Sequence, residues 1–196
     1  MTEDEELQGA LVAATIDVIA ESGYAALSIP AVAARAEIEL DVVGGHFPDA
    51  ATLVSVTMGW MYGDLAHRVG SRVEAEESGL PRVQAYIRAM NRYFFDNPKH
   101  IRVMGEVIGS GNLDGEPGIR PRERRWRAVA ELLEDGQRHG RLGAFDTRAV
   151  AIVIGGAIDG LIVEWTEDPS FDLLAGTEEL IDLVAGLTRG AAFASQ

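Results

Sequence analysis

The chain has 196 residues, 47% of them hydrophobic, with a mean hydropathy of +0.04. That is enough apolar content for a packed core of one or two domains, and the absence of cysteine excludes disulfides, thiolate nucleophiles and thiolate metal sites. A net charge of −14 argues against the basic surface that nucleic-acid binders ordinarily carry. No apolar run reads as a membrane span, and the acidic start is unlike a secretory signal, so the expectation is a soluble, cytoplasmic protein without a membrane partner.

In chain order, Leu11, Ala14 and Val18, with Val12, Ile16 and Ile19 on the neighbouring stripe, recur at helical steps, and Gly23 is a favoured helix stop. The terminal acids at 3–6 read as a disordered charge run. Ser28 is a ready N-cap, and Pro30 falls in the first turn of the next helix, where its missing N–H costs nothing. The spacing predicts a helix over 29–35, a turn at 36–38 and a short third helix over 39–46, closed by Phe47-Pro48-Asp49. Such spacing is that of a helix-turn-helix, whose last helix lies in the DNA major groove.

Through Leu11-Val12, Ala14, Gly23-Tyr24, Ser28, Val32-Ala33, Arg35-Ala36, Ile38 and above all His46-Phe47-Pro48, the chain resembles the tetracycline-repressor-like (TetR) family of transcriptional regulators. Beyond this stretch the resemblance is carried by length and a succession of helices. It implies an all-α fold of about nine helices, with an N-terminal three-helix helix-turn-helix domain over 1–49 and a C-terminal ligand-binding and dimerisation domain over 50–196. It also implies a homodimer, a double-stranded DNA partner, no cofactor, and an effector pocket among helices four to seven. The DNA-facing positions on this resemblance are Ser28, Arg35, Glu39, Leu40, Asp41, Gly44, Gly45, His46 and Ala50.

Several of these positions depart from the family pattern and lose charge or reach. Glu37 stands where the inter-helix turn usually has Gly, and Glu39 and Leu40 replace a small hydroxyl and often a Lys. Gly44 replaces an aromatic that reaches a phosphate, and Ala50 a Lys aimed at the backbone. Residues 1–52 hold ten acids against one base, Arg35. Because phosphate contacts supply much of the affinity, DNA binding is expected to be weak and salt-sensitive.

From Ala50 the stripe Val54, Met58, Met61, Leu65 and Val69 predicts a fourth helix, capped by Asp49 and reaching about Glu77, with Gly59, Gly63 and Gly70 inside it. Val83, Tyr86, Met90 and Tyr93 mark a fifth, which ends before Asn97-Pro98 because the residue before proline avoids helical geometry. Ile101, Met104 and Ile108 mark a sixth. The loop over 109–118 has two glycines spaced as in a dinucleotide fingerprint, but Asp114 takes the third glycine's place and no strand precedes it. Arg120, Arg122, Arg124, Arg125 and Arg127 open a seventh helix carrying Trp126, Val129, Leu133 and Gly136; Glu123 and Glu131 flank Arg127 at helical spacing, which favours a solvated face.

An eighth helix, capped by Asp146 or Thr147, carries Val150, Ile154, Ala157, Leu161 and Trp165 on one stripe. Ile152, Gly155, Gly156, Asp159, Gly160 and Val163 surround the rest. Thr177 reads as the cap of a ninth, with Leu180, Leu183, Val184 and Leu187. Two helices apolar on most sides must be buried on most sides. A two-fold four-helix seam through Ile152, Gly155, Gly156, Asp159, Gly160, Val163, Leu183, Val184 and Leu187 is the expected dimer interface.

An enzyme is not expected. His46, His67, His100 and His139 stand apart without metal-ligand spacing, and no nucleophile elbow occurs. Trp60, Met61, Tyr86, Met90, Tyr93, Phe94, Met104, Val107 and Trp126 are large, soft or aromatic, and with the resemblance they form a candidate pocket for a small apolar or aromatic effector. The expectation is a ligand-responsive DNA-binding regulator, a repressor by family habit. The alternative is a ligand-binding or scaffold dimer of the same fold whose DNA binding is weak or lost.

Overall fold

The structure is a computed structural model, which describes residues 2–110 and 121–190, without the side chains of residues 3, 121–125, 189 and 190. The glycine-rich loop and the arginines at 120–125 therefore lie outside the described side chains, while Arg127 lies within them. Among the described residues the regular elements are helical: α1 (Glu3–Ser22), a single 3-10 turn (Tyr24–Ala26), α2 (Ile29–Ala36), α3 (Leu40–His46), α4 (Ala50–Glu74), α5 (Leu80–Asp96), α6 (Pro98–Gly109), α7 (Pro121–Arg138), α8 (Thr147–Glu167) and α9 (Leu173–Gly190). They pack as two compact units, one of residues 1–64 and 97–117, the other of residues 65–96 and 118–196. The dividing line runs through α4 and puts α6 in the first unit, whereas the sequence reading divides the chain at 49/50.

In the first unit α1 packs on α2 and α6, and α2 on α3. Its core is Leu11, Ala14, Val32, Ala33, Val43, Phe47 and Leu53, all buried, with Leu7, Val18, Leu27, Ile29, Ile38 and Val56 around it. These are the residues that put α1, α2 and α3 at fixed angles, because each helix turns an apolar stripe toward the same centre. The acidic start is not disordered: Thr2 accepts from the Glu5 amide while the Glu5 side chain accepts from the Thr2 amide, a capping box that begins α1 at Glu3. Ser28 caps α2 through the Ala31 amide, and Asp49 caps α4 through the Thr52 amide at 2.7 Å.

The second unit packs α7 on α8, α5 on α9 and α7, and α8 on α9. Val83, Ile87, Val129, Leu133, Ile154, Ile158, Leu173 and Ile181 are buried in it. Gly79, at φ +100°, lets the start of α5 pass Arg141, whose Cβ would lie 2.8 Å from an added Cβ.

Three sequence expectations need correction. The ninth helix begins at Leu173 rather than Thr177: Asp172 caps it through the Leu174 and Ala175 amides, and Thr177 is buried a turn inside, donating to the Leu173 carbonyl and accepting from Asn91 Nδ2. The fourth stops at Glu74, three residues short of the expected end. The third concerns membranes: α8 is long and apolar enough to cross one by length and composition.

Candidate nucleic-acid interface

The helix-turn-helix is built from the inside outward. Val43 and Phe47 are buried in the first unit, so the opposite side of α3, with Asp41, Val42 and Gly45, faces away from the core, and Leu40 and Gly44 are also exposed. Glu39 is the N-cap residue of α3 but makes no side-chain cap bond, and Glu37 ends α2 in the left-handed region at φ 57°. Gly44 and Gly45 have open space where a Cβ would project. Ser28 is half-buried at its capping post, and Ala50 is half-buried in the first turn of α4.

The one base of residues 1–52 is engaged elsewhere. Arg35 donates through Nε and Nη2 to Asp17 Oδ2 at 3.0 and 2.6 Å, and through Nη2 to Glu21 Oε1 at 2.9 Å. Lys99 of α6, the chain's single lysine, donates to the same two carboxylates at 2.6 and 3.1 Å. These hydrogen bonds, from Lys99 first and then Arg35, hold the Asp17 carboxyl below its ordinary range. The result is a two-anion, two-cation cluster joining α1, α2 and α6, and it takes from the DNA-facing set its strongest phosphate donor.

His46 is similarly tied. Its Nδ1 lies 2.9 Å from the Val42 carbonyl and its Nε2 3.0 Å from Asp4 Oδ1. The Val42 carbonyl and then the Asp4 carboxylate raise its pKa above the usual imidazole value, since both favour the protonated ring. By contrast Glu37, Glu39 and Asp41 are exposed and pair with no other side chain among the described residues.

The candidate effector residues fall in both units. In the first, Met61, Met104 and Val107 are buried, while Trp60 is 48% exposed and meets the edge of His100 at 6.0 Å. In the second, Tyr93 and Phe94 are buried in an edge-to-face pair at 5.4 Å, Tyr86 and Met90 are half-buried, and Trp126 lies half-buried under the Arg148 guanidinium at 4.9 Å. Burial pushes the Tyr86 phenol up to about 12, with Asp159 adding to the rise. Asn91 is wholly buried and gives Nδ2 to Thr177, but its Oδ1 meets no donor among the described residues.

The expected dimer seam divides. Ile152, Val163, Leu183 and Leu187 are open, the last two 67% and 58% exposed, and Val153, which the sequence reading passed over, is open beside them. Gly156 and Gly160 are exposed too, and Gly155 and Asp159 are half-buried. Val184 does not belong there: it is 2% exposed and packs into its own chain, because the α9 stripe through Leu180, Ile181 and Val184 turns inward. Glu179, Asp182, Leu183, Gly186 and Leu187 share this open surface of α9.

The residues that sequence reasoning missed are Asp4, Asp17, Glu21 and Lys99. Asp17 and Glu21 are acids one helical turn apart, a weak sign that they share a face, but nothing local points to their cations.

No family model matches the chain. A curated relative, the HTH-type transcriptional regulator CymR of Pseudomonas putida, is 26% identical over 166 residues, which covers 83% of this chain and 82% of that one. Among solved structures, a TetR-family regulatory protein from Rhodococcus RHA1 superposes with a TM-score of 0.73 at 16% identity over 96% of this chain and 98% of its own. FadR of Bacillus subtilis, solved in complex with stearoyl-CoA, does so with a TM-score of 0.72 at 16% identity over 90% and 96%. FadR of Bacillus halodurans, a fatty acid degradation regulator, gives 0.74 at 18% over 90% and 93%. With its capped α2, its short α3 anchored by Phe47 and the helices that follow, the chain has the fold of the TetR-type transcriptional regulators.

Proposed function

We propose that the chain is a homodimeric, ligand-responsive transcriptional regulator that binds double-stranded DNA through α3 and acts as a repressor. The observation that carries this reading is the placement of α3: Val43 and Phe47 hold it from within, and its outer side stands free of the fold. The likeness to CymR, a regulator by name, supports it. DNA binding is tested by selecting from random duplexes at low and physiological salt. Enrichment of a two-fold symmetric site is expected, and no enrichment at either salt overturns the reading.

The second subunit covers the open side of α8 and α9. Ile152, Val163, Leu183 and Leu187 are too large an apolar exposure for a lone chain, and the intervening glycines allow close helix approach. This also explains a helix apolar enough for a bilayer without invoking one. The effector is mostly apolar or aromatic and is held in the second unit by Tyr86, Met90, Tyr93, Phe94 and Trp126. The free oxygen of Asn91 favours a ligand that brings a hydrogen-bond donor. A ligand that binds the folded state raises its melting temperature by mass action. Compounds that stabilise the wild type should fail on Tyr93→Ala with Met90→Ala, and equal stabilisation of both places the effector elsewhere.

One observation favours a second reading, a ligand-binding dimer that has lost operator binding: Arg35 pairs with Asp17 and Glu21 beside an acidic α3. The same selection separates the two.

A further inference from the structure

We infer that α3 reads its operator through pyrimidine edges, taking the exocyclic amino group of cytosine and the C5-methyl of thymine in the major groove, and makes no guanine contact. This rests on the DNA-binding reading above and goes beyond it by naming what is read.

The major groove offers each base pair as a distinct set of donors, acceptors and methyls. Guanine presents two acceptors and calls for an Arg or Lys, and α3 has neither. The nearby Arg35 is occupied by Asp17 and Glu21 at 2.6 to 3.0 Å. What α3 and its cap do present are acceptors and methyls. Asp41 and Glu39 are exposed carboxylates without side-chain partners among the described residues, and a carboxylate can only accept, which in this groove matches cytosine N4–H. Adenine N6–H is also a donor, but its neighbour N7 is an acceptor that repels a carboxylate. Beside Asp41, Val42 is 40% exposed on the outward side and Leu40 is exposed at the start of the helix. These branched aliphatic ends match the thymine methyl. Gly45 shares that outward side with Asp41 and Val42, and neither it nor Gly44 has a side chain to hold the helix off the base edges.

The test is random-duplex selection with the wild type, Asp41→Asn and Val42→Ala, followed by binding to the selected duplex with thymines replaced by deoxyuridine. Both substituted positions are exposed, so folding is retained and is verified by circular dichroism. The expected site has fixed A·T pairs whose thymine methyls matter and a fixed C·G pair whose choice depends on Asp41. Deoxyuridine should weaken wild-type binding roughly fivefold or more and Val42→Ala by less, since only Leu40 then remains against a methyl, and Asp41→Asn should change one cytosine preference toward adenine. A selected site that tolerates deoxyuridine, and whose sequence is unchanged in Asp41→Asn, overturns this inference while leaving the regulator reading intact. Failure to select any site overturns both.

Discussion

Two faces of this molecule are left open by its own packing, and they differ in kind. On the outside of α3 the side chains beside Gly44 and Gly45 are carboxylates and one short aliphatic pair; on the outside of α8 and α9 the side chains beside Gly156, Gly160 and Gly186 are Ile152, Val153, Val163, Leu183 and Leu187. Both faces use glycine in mid-helix, at up to about 1 kcal/mol each relative to alanine. The apolar face gains by being covered, so its partner must be apolar and matched in shape, as a second copy is. The acidic face gains nothing by being covered as such. It repels the phosphate backbone, and any affinity for DNA must come from specific base-edge contacts. On the proposed function, stability of the dimer and selectivity for DNA fall to different ends of the chain.

The largest effect is expected from placing a charge on the apolar face. Leu183→Glu or Leu187→Glu puts a carboxylate into the covered seam, at a cost of several kcal/mol on association. Sedimentation at micromolar protein should then give a monomer where the wild type gives a dimer. Loss of DNA binding should follow, since a two-fold site needs both subunits. A monomeric wild type would show that α8 and α9 meet something else.

Next in size is the repair of the acidic face. Gly44 projects into open space, so Gly44→Tyr is accommodated, and with Ala50→Lys it adds two phosphate contacts. The slope of log affinity against log salt should steepen by about one to two, and binding should strengthen on all duplexes alike. Filter binding across a salt series measures it. An unchanged slope would mean that α3 and the start of α4 do not approach the backbone.

These expectations rest on features of unequal legibility. Ser28, Pro30 and Phe47 could be read from sequence because caps and corner residues act within a turn of their own position. The start of α9 could not: Thr177 is a good cap in isolation, and only its burial against Asn91 of α5 shows that the helix has already begun. Similarly, Val184 and Leu187 share one apolar pattern, and periodicity cannot say which side belongs to the chain's own core. Arg35 was legible as the lone cation of residues 1–52 but not as an occupied one, since Asp17 and Glu21 reach it from another helix.

A smaller effect is expected at the turn between α2 and α3. Glu37 holds φ 57°, a conformation that costs a non-glycine residue about 1 kcal/mol or more. Glu37→Gly relieves this, less the extra chain entropy that glycine loses, so a net stabilisation of about 0.5 to 1 kcal/mol should appear in chemical denaturation. It also removes one carboxylate from the acidic face and should raise DNA affinity slightly. Destabilisation by this change would mean that the Glu37 side chain makes a contact worth more than the strain.

The smallest effect separates two ion clusters within the first unit by their pH windows. Asp17 is held below its ordinary value of 3.8, so its contribution is complete above that pH and is lost only as pH falls through the lower folded-state value. His46 runs the other way. Its pKa is raised above 6.5, so its contribution is complete below that pH and is lost as pH rises through the folded-state value. The contact between Asp4 and α3 should therefore loosen as pH rises through the raised His46 value, while the Asp17, Glu21, Arg35 and Lys99 cluster stays whole. Histidine proton titration by NMR reads this directly. In Asp4→Asn the His46 midpoint should fall but remain above the ordinary value, because the Val42 carbonyl, the larger cause of the rise, is still in place. Identical titration curves in the two proteins would mean that Asp4 does not reach His46 in solution, and that the acidic start of α1 leaves the recognition helix free.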